Sequence, residues 1–395
     1  MVFTPLNAQG QEPSAEVTTQ SAAATITDQS GVNILSSLPF HFSLGVHGGY
    51  DDNFGTTASR NSSFFTTGTG NISYDLYREQ TQIDLRTGGA LTYFYDQTSA
   101  QNSNVDAFVD LSVVHDVSAR LKLTATVDAT YRTEPDFSSD VGPNSRQGNY
   151  FDTSDSVSAA YNWTMRFSTV TSDKFRAVDY PNSSVGATTN RIDNTFGQQF
   201  RFNLLSATTA FVGEYRFEAI DYQSFSVRNS TTHYALAGID DDFNPELKLT
   251  VRGGATFRSY TDDGSRIDPH FESSLTYAGA HNSTLSWTTS YGLEEPNASS
   301  LLSRTTFRTG LEFKYDLTAR ISSTFSGYYH HDQDEGLAGV AGFSEDAFDL
   351  SLDCRYAINR RFAFDLGIEH SEIDSGVAAR DYSRNRYFTG LTFTY

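Results

Sequence analysis

From Pro39 to Tyr395 the sequence alternates apolar and polar residues with a period of two, segment after segment. Phe40, Phe42, Leu44 and Val46 share one phase; Leu121, Leu123, Ala125, Val127 and Ala129 repeat it, as do Phe348, Leu350, Leu352, Cys354 and Tyr356. A period of two puts successive side chains on opposite faces of an extended strand, so each segment reads as a strand with one apolar face. No run of about 18 apolar residues occurs, which excludes a helical membrane span. It leaves open a membrane crossed by strands, where only alternate residues meet lipid.

The connections between these segments are sorted by length. Polar loops such as Asp96 to Asn104, Thr133 to Gly148, Pro181 to Asn190, Thr261 to Asp268 and Gln333 to Ser344 alternate with short turns at Arg78 to Gln80, Val117 to Arg120, Ser206 to Thr208, Asn244-Pro245, His281-Asn282, Asp316 to Thr318 and Asn359-Arg360. A soluble β-sandwich or solenoid has no reason to sort its connections in this way. The pattern predicts an all-β fold over residues 38–395: a transmembrane antiparallel up-and-down β-barrel of about 18 strands, with short periplasmic turns and long extracellular loops. Between Met165 and Asp179 the phase is ambiguous, and a bulge near Ser172 is expected there. Residues 1–37, rich in Ala, Ser, Thr, Gln and Gly, read as a flexible leader, with Phe3 to Ala8 as a signal-peptide remnant.

Composition narrows the function classes. A net charge of −20 argues against nucleic acid, whose binders need a basic footprint. The single cysteine, Cys354, continues a strand face and reads as a small packed or lipid-facing residue.

The last segment ends flush on an aromatic, with Tyr387, Leu391, Phe393 and Tyr395 on one face. It resembles the C-terminal assembly signal of bacterial outer-membrane barrels. Gly48-Gly49-Tyr50-Asp51-Asp52-Asn53-Phe54 and the stretch Gly238 to Tyr260, with Asn244-Pro245 and Val251-Arg252-Gly253-Gly254, resemble the outer-membrane β-barrel porins found alongside exopolysaccharide genes. The resemblance implies the outer membrane of a Gram-negative bacterium and a porin or an exopolysaccharide export channel. It also implies lipid, lipopolysaccharide and the barrel-assembly machinery as partners, with periplasmic export partners in the second case.

A barrel of this size leaves an aqueous lumen, so function is read from the residues between the apolar ones. Lys248, Arg252 and Arg258, with Arg304, Arg308, Glu312 and Lys314, form a mainly basic arc; Asp349, Asp353, Asp365 and Glu369 form an acidic arc that Asp84, Asp106 and Asp110 extend. Opposed walls of this kind would set a field across the pore, suiting small hydrophilic solutes. The alternative is that these charges merely pair with neighbouring strands.

The acids Asp51, Asp52, Glu134, Asp136, Asp140, Asp262, Asp263, Glu294, Glu295, Asp332, Asp334 and Glu335 are assigned to the long loops, as a solvated rim or as divalent-cation bridges to surface glycolipid. His330 and His331 are adjacent on a strand and face opposite ways, so they do not share a metal. Neither a Gly-rich phosphate loop nor a paired-cysteine motif is present, and Asp268 and His270 alone define no catalytic constellation. The expectation is a non-enzymatic channel without cofactor or metal: a passive diffusion porin, or alternatively a conduit or scaffold of an export assembly.

Overall fold

A strand with one apolar face and unpaired edges is unstable in lipid unless every edge is paired, which only a closed barrel achieves. The computed structural model describes residues 40–96, 102–138, 148–181, 189–203, 208–261, 264–279, 282–298, 300–337 and 339–395. The leader expected over 1–37 lies outside them. The strands are β1 Phe40–Asp51, β2 Ser63–Tyr77, β3 Thr81–Phe94, β4 Ser103–Asp116, β5 Leu121–Arg132, β6 Tyr150–Asn162, β7 Phe167–Asp179, β8 Arg191–Phe202, β9 Thr209–Tyr222, β10 Ser230–Asn244, β11 Leu247–Tyr260, β12 Ser265–Ala278, β13 Thr284–Glu294, β14 Leu301–Thr318, β15 Ile321–Gly336, β16 Ser344–Ala357, β17 Phe362–Ser375 and β18 Tyr382–Thr394.

Each strand pairs antiparallel with the next, and β1 pairs with β18 from Ser43↔Thr394 to Asp51↔Arg386, so the 18-stranded sheet closes on itself. Phe42 and Tyr395 exchange both backbone hydrogen bonds at that seam, and their rings stack at 5.1 Å. The predicted bulge near Ser172 is absent. β7 pairs without a register shift on both sides. The phase is obscured because Thr171 and Asp173 stand on the outward face among Phe167 and Phe175.

Five of the short turns share one chemical device. Ser118, Thr164, Asn244, Thr318 and Asn359 each open a turn, and each side-chain oxygen accepts hydrogen bonds from the backbone N–H groups two and three residues on. Asn and Ser/Thr side chains substitute in this way for a backbone turn, which is why these residue types punctuate the sequence there.

Apolar side chains point out and polar ones in, the reverse of a soluble core. Leu44 is 57% exposed whereas Arg252 is wholly buried. Outward aromatics cluster near both ends of the strands, with Tyr161–Trp163, Phe167–Phe202 and Phe362–Phe393 at the short-turn end and Tyr50–Phe64 and Tyr329–Phe348 at the loop end. Such pairs contribute about 0.5–1.5 kcal/mol beyond area burial and form the two girdles expected at lipid headgroup level. Tyr387, Leu391, Phe393 and Tyr395 take the outward phase of β18 and its end.

Candidate channel lumen

The alternation that sends Phe257 and Phe307 outward sends their neighbours in. Lys248, Arg252 and Arg258 on β11, and Arg304, Arg308 and Glu312 on β14, share the inward phase of their strands. Asp349, Asp353, Asp365 and Glu369 hold it on β16 and β17.

The arginines do not form a free basic surface. Arg252 lies 2.6 Å from Asp240 and 3.3 Å from Glu214; Arg258 lies 2.5 Å from Glu295 and 3.4 Å from Glu218. Glu294 accepts from both Arg304 and Arg308 at 3.0 Å, and Asp332 lies 3.3 Å from Arg304. The field between a basic and an acidic arc is thereby corrected, because the basic arc is interleaved with carboxylates of its own wall. A buried guanidinium without a carboxylate would cost several kcal/mol, so the strands beside it supply one. Lys248, Glu312 and Lys314 differ, having no ion-pair partner among the described residues.

The sequence pattern missed the partners Glu214, Glu218 and Asp240. Glu214, Arg216 and Glu218 alternate on β9, and Arg216 is gripped by both oxygens of Glu272 on β12, at 2.8 and 3.0 Å. The inward phase that singled out Arg252 would have singled them out too, had it been carried to the strand of Phe211, Tyr215 and Phe217.

The acidic rim needs a second correction. Asp51, Glu134, Asp136, Glu294, Glu295, Asp332 and Asp334 turn inward, and all but Asp334 pair with arginine. Asp52 instead accepts from Asn385, at 2.6 and 2.8 Å. Glu335 alone keeps a largely exposed side chain, 2.8 Å from Arg266. Asp140, Asp262 and Asp263 lie outside the described residues. Burial alone would raise the Asp136 carboxyl, but Arg132 and the Ser138 hydrogen bonds outweigh it and hold it below its ordinary range. Burial likewise opposes Arg258, Arg191 and Tyr222 at Glu295, and the net effect is again downward.

The connection between β5 and β6 does not stay on its own side. β5 and β14 stand half the ring apart, yet the Phe137 carbonyl accepts from Arg308 of β14 at 3.1 Å. The Phe137 ring is buried with Tyr328, Ala347, Ile373 and Tyr382 of β15 to β18. Glu134 accepts from Arg384 at 2.9 and 3.2 Å, and Arg384 also grips Asp51 at the β1–β18 seam. The start of this loop, Thr133 to Ser138, thus crosses the lumen and docks on the far wall, narrowing the passage. Beside it lies a cavity of about 310 Å³, lined by inward residues of β7 to β15 and by Ser138.

His330 faces in, 3.1 Å from Asp332, whereas His331 faces out, 2.9 Å from Asp346. Asp268 is held by Arg266 and His270 by Glu272, so the two neighbours have separate partners.

A sequence-family model described as "Putative beta-barrel porin 2" matches residues 40–395, the whole described barrel. The chain belongs to this porin family. Its place is therefore the bacterial outer membrane, as a porin-like channel. No curated protein matches it. Similar solved structures include the outer membrane protein OpdK from Pseudomonas aeruginosa, 12% identical with a TM-score of 0.46 over 90% of this chain and 99% of that one. OccAB4 from Acinetobacter baumannii is 10% identical, with a TM-score of 0.41 over 92% and 100%. A BenF-like porin from Pseudomonas fluorescens Pf-5 is 7% identical, with a TM-score of 0.44 over 90% and 98%.

Proposed function

We propose that this porin conducts small hydrophilic solutes passively through a charged aqueous lumen. The observation that carries the reading is the inversion of the barrel: outward faces are apolar, while inward faces carry Ser, Thr, Arg and carboxylates around an open cavity. Polar groups on that surface keep water in the passage, and water carries the solute. The transverse loop limits solute size without closing off the cavity beside it. Single-channel recording on the detergent-purified protein in a planar bilayer tests the reading. Large, steady steps are expected; a correctly folded, heat-modifiable barrel that stays silent would remove passive diffusion and favour a gated export conduit.

A further inference from the structure

The cavity beside the transverse loop is electrically balanced within a strongly acidic chain. Its lining acids are Asp193, Glu214, Glu218, Glu272, Glu294 and Glu295. Its lining cations are Lys174, Arg176, Arg191, Arg216, Arg258 and Arg308, matching them one for one, while the whole chain carries −20. The match is also local: Arg191 lies 3.1 Å from Asp193, Arg308 lies 3.0 Å from Glu294, and Glu272 grips Arg216 with both oxygens.

A solute anion can reach such a guanidinium only by displacing a carboxylate already in place, bidentate at Arg216, and a cation meets the mirror problem. A neutral solute with several hydroxyls breaks no pair. Each hydroxyl both donates and accepts, so it can bridge the spare lone pairs and N–H groups along a paired wall. Two groups lining the cavity are poised for this. The Tyr328 hydroxyl and Asp193 Oδ1 are buried, and neither has a hydrogen-bond partner among the described residues. A buried polar atom left unpaired costs free energy that a ligand hydroxyl would recover.

We propose that the cavity is a binding site on the permeation path for neutral, multiply hydroxylated solutes, the chemical class of mono- and oligosaccharides. The proposal rests on the channel reading for its route and on the cavity's own groups for its specificity.

The test is ion current through the bilayer-reconstituted wild-type channel, with maltose as the neutral probe and sodium gluconate as the charged one. Maltose should reduce the current saturably while gluconate at the same concentration does not. Tyr328→Phe, which removes one hydroxyl and no charge, should weaken the maltose effect about fivefold, the equivalent of one ordinary hydrogen bond. A conducting channel with no saturable maltose effect, or with equal block by gluconate, overturns the proposal and leaves the channel reading intact. If the folded barrel does not conduct, the channel reading fails separately, and calorimetric titration of the detergent-solubilised barrel with maltose decides the site. Saturable heat that weakens in Tyr328→Phe supports it; its absence overturns it.

Discussion

The wall built from β7 to β15 and the wall built from β16 through the seam to β5 face each other across one lumen and handle inward charge differently. On the first, arginines and carboxylates alternate between adjacent strands, as in Arg216 with Glu214 and Glu272 or Arg304 with Glu294 and Asp332. On the second, Asp106, Asp349, Asp353, Asp365 and Glu369 line the lumen; Asp365 lies 3.4 Å from His47 and 3.8 Å from Arg355, Glu369 lies 3.7 Å from Arg386, and Arg384 and Arg386 both reach Glu134 of the transverse loop. Asp349 accepts a hydrogen bond from Ser371 at 2.6 Å, and Asp353 has no ion-pair partner among the described residues. The first wall pairs most of its charges within itself, Lys248, Glu312, Lys314 and Asp334 apart, and offers a nearly balanced surface. The second leaves Asp106, Asp349 and Asp353 without an ion-pair partner among the described residues, and the field that a permeating ion feels originates there.

The largest effect should come from cutting the link between the walls. Arg384→Ala leaves Asp51 buried without its arginine and Glu134 with Arg386 alone, and breaking a buried pair in this way costs about 3–5 kcal/mol. Denaturant titration followed by heat-modifiable gel mobility should show a clear loss, whereas an unchanged midpoint would mean that the seam does not depend on this arginine. A somewhat smaller effect should follow from Phe137→Ala, which empties the loop's anchor and costs on the order of 3 kcal/mol. Its readout is conductance: undocking the loop should enlarge the single-channel step, and an unchanged step would show that the loop does not narrow the passage.

Acidification should do least. The Asp136 and Glu295 carboxyls are held below their ordinary values of 3.8 and 4.5, so the stability they add is fully present above those values and is lost only as pH falls through the depressed ones. Between neutral pH and about pH 5 these two groups should therefore leave loop docking and step size unchanged. A step that grows already in that range would show the latch to depend on other groups.

The fold was legible because period two and turn chemistry act locally. A strand's two faces and an Asn244 or Asn359 turn are written in a handful of consecutive residues. Only around Ser172 did the local signal mislead, since outward Thr171 and Asp173 mimic a phase slip without changing the pairing. The inward phase of residues such as Arg252 and Asp353 was equally local.

Their partners were not legible in the same way. Arg216 meets Glu272 three strands away, and Phe137 meets β15 to β18 across the ring, through contacts that exist only once the barrel closes. Reading Glu294, Glu295 and Asp332 as rim acids failed for a related reason. Loop assignment by polarity cannot separate a solvated carboxylate from one turned inward to a guanidinium.

The measurement that bears most directly on the contrast between the two walls is the zero-current potential of single wild-type channels under a KCl gradient, repeated for Asp353→Asn. The account predicts a potential of the sign that marks cation preference, set by the acid-bearing wall and reduced in the variant. A potential of the opposite sign, marking anion preference, would mean that the arginines of the first wall act as free charges, and the account of a nearly balanced wall facing an acidic one would be wrong.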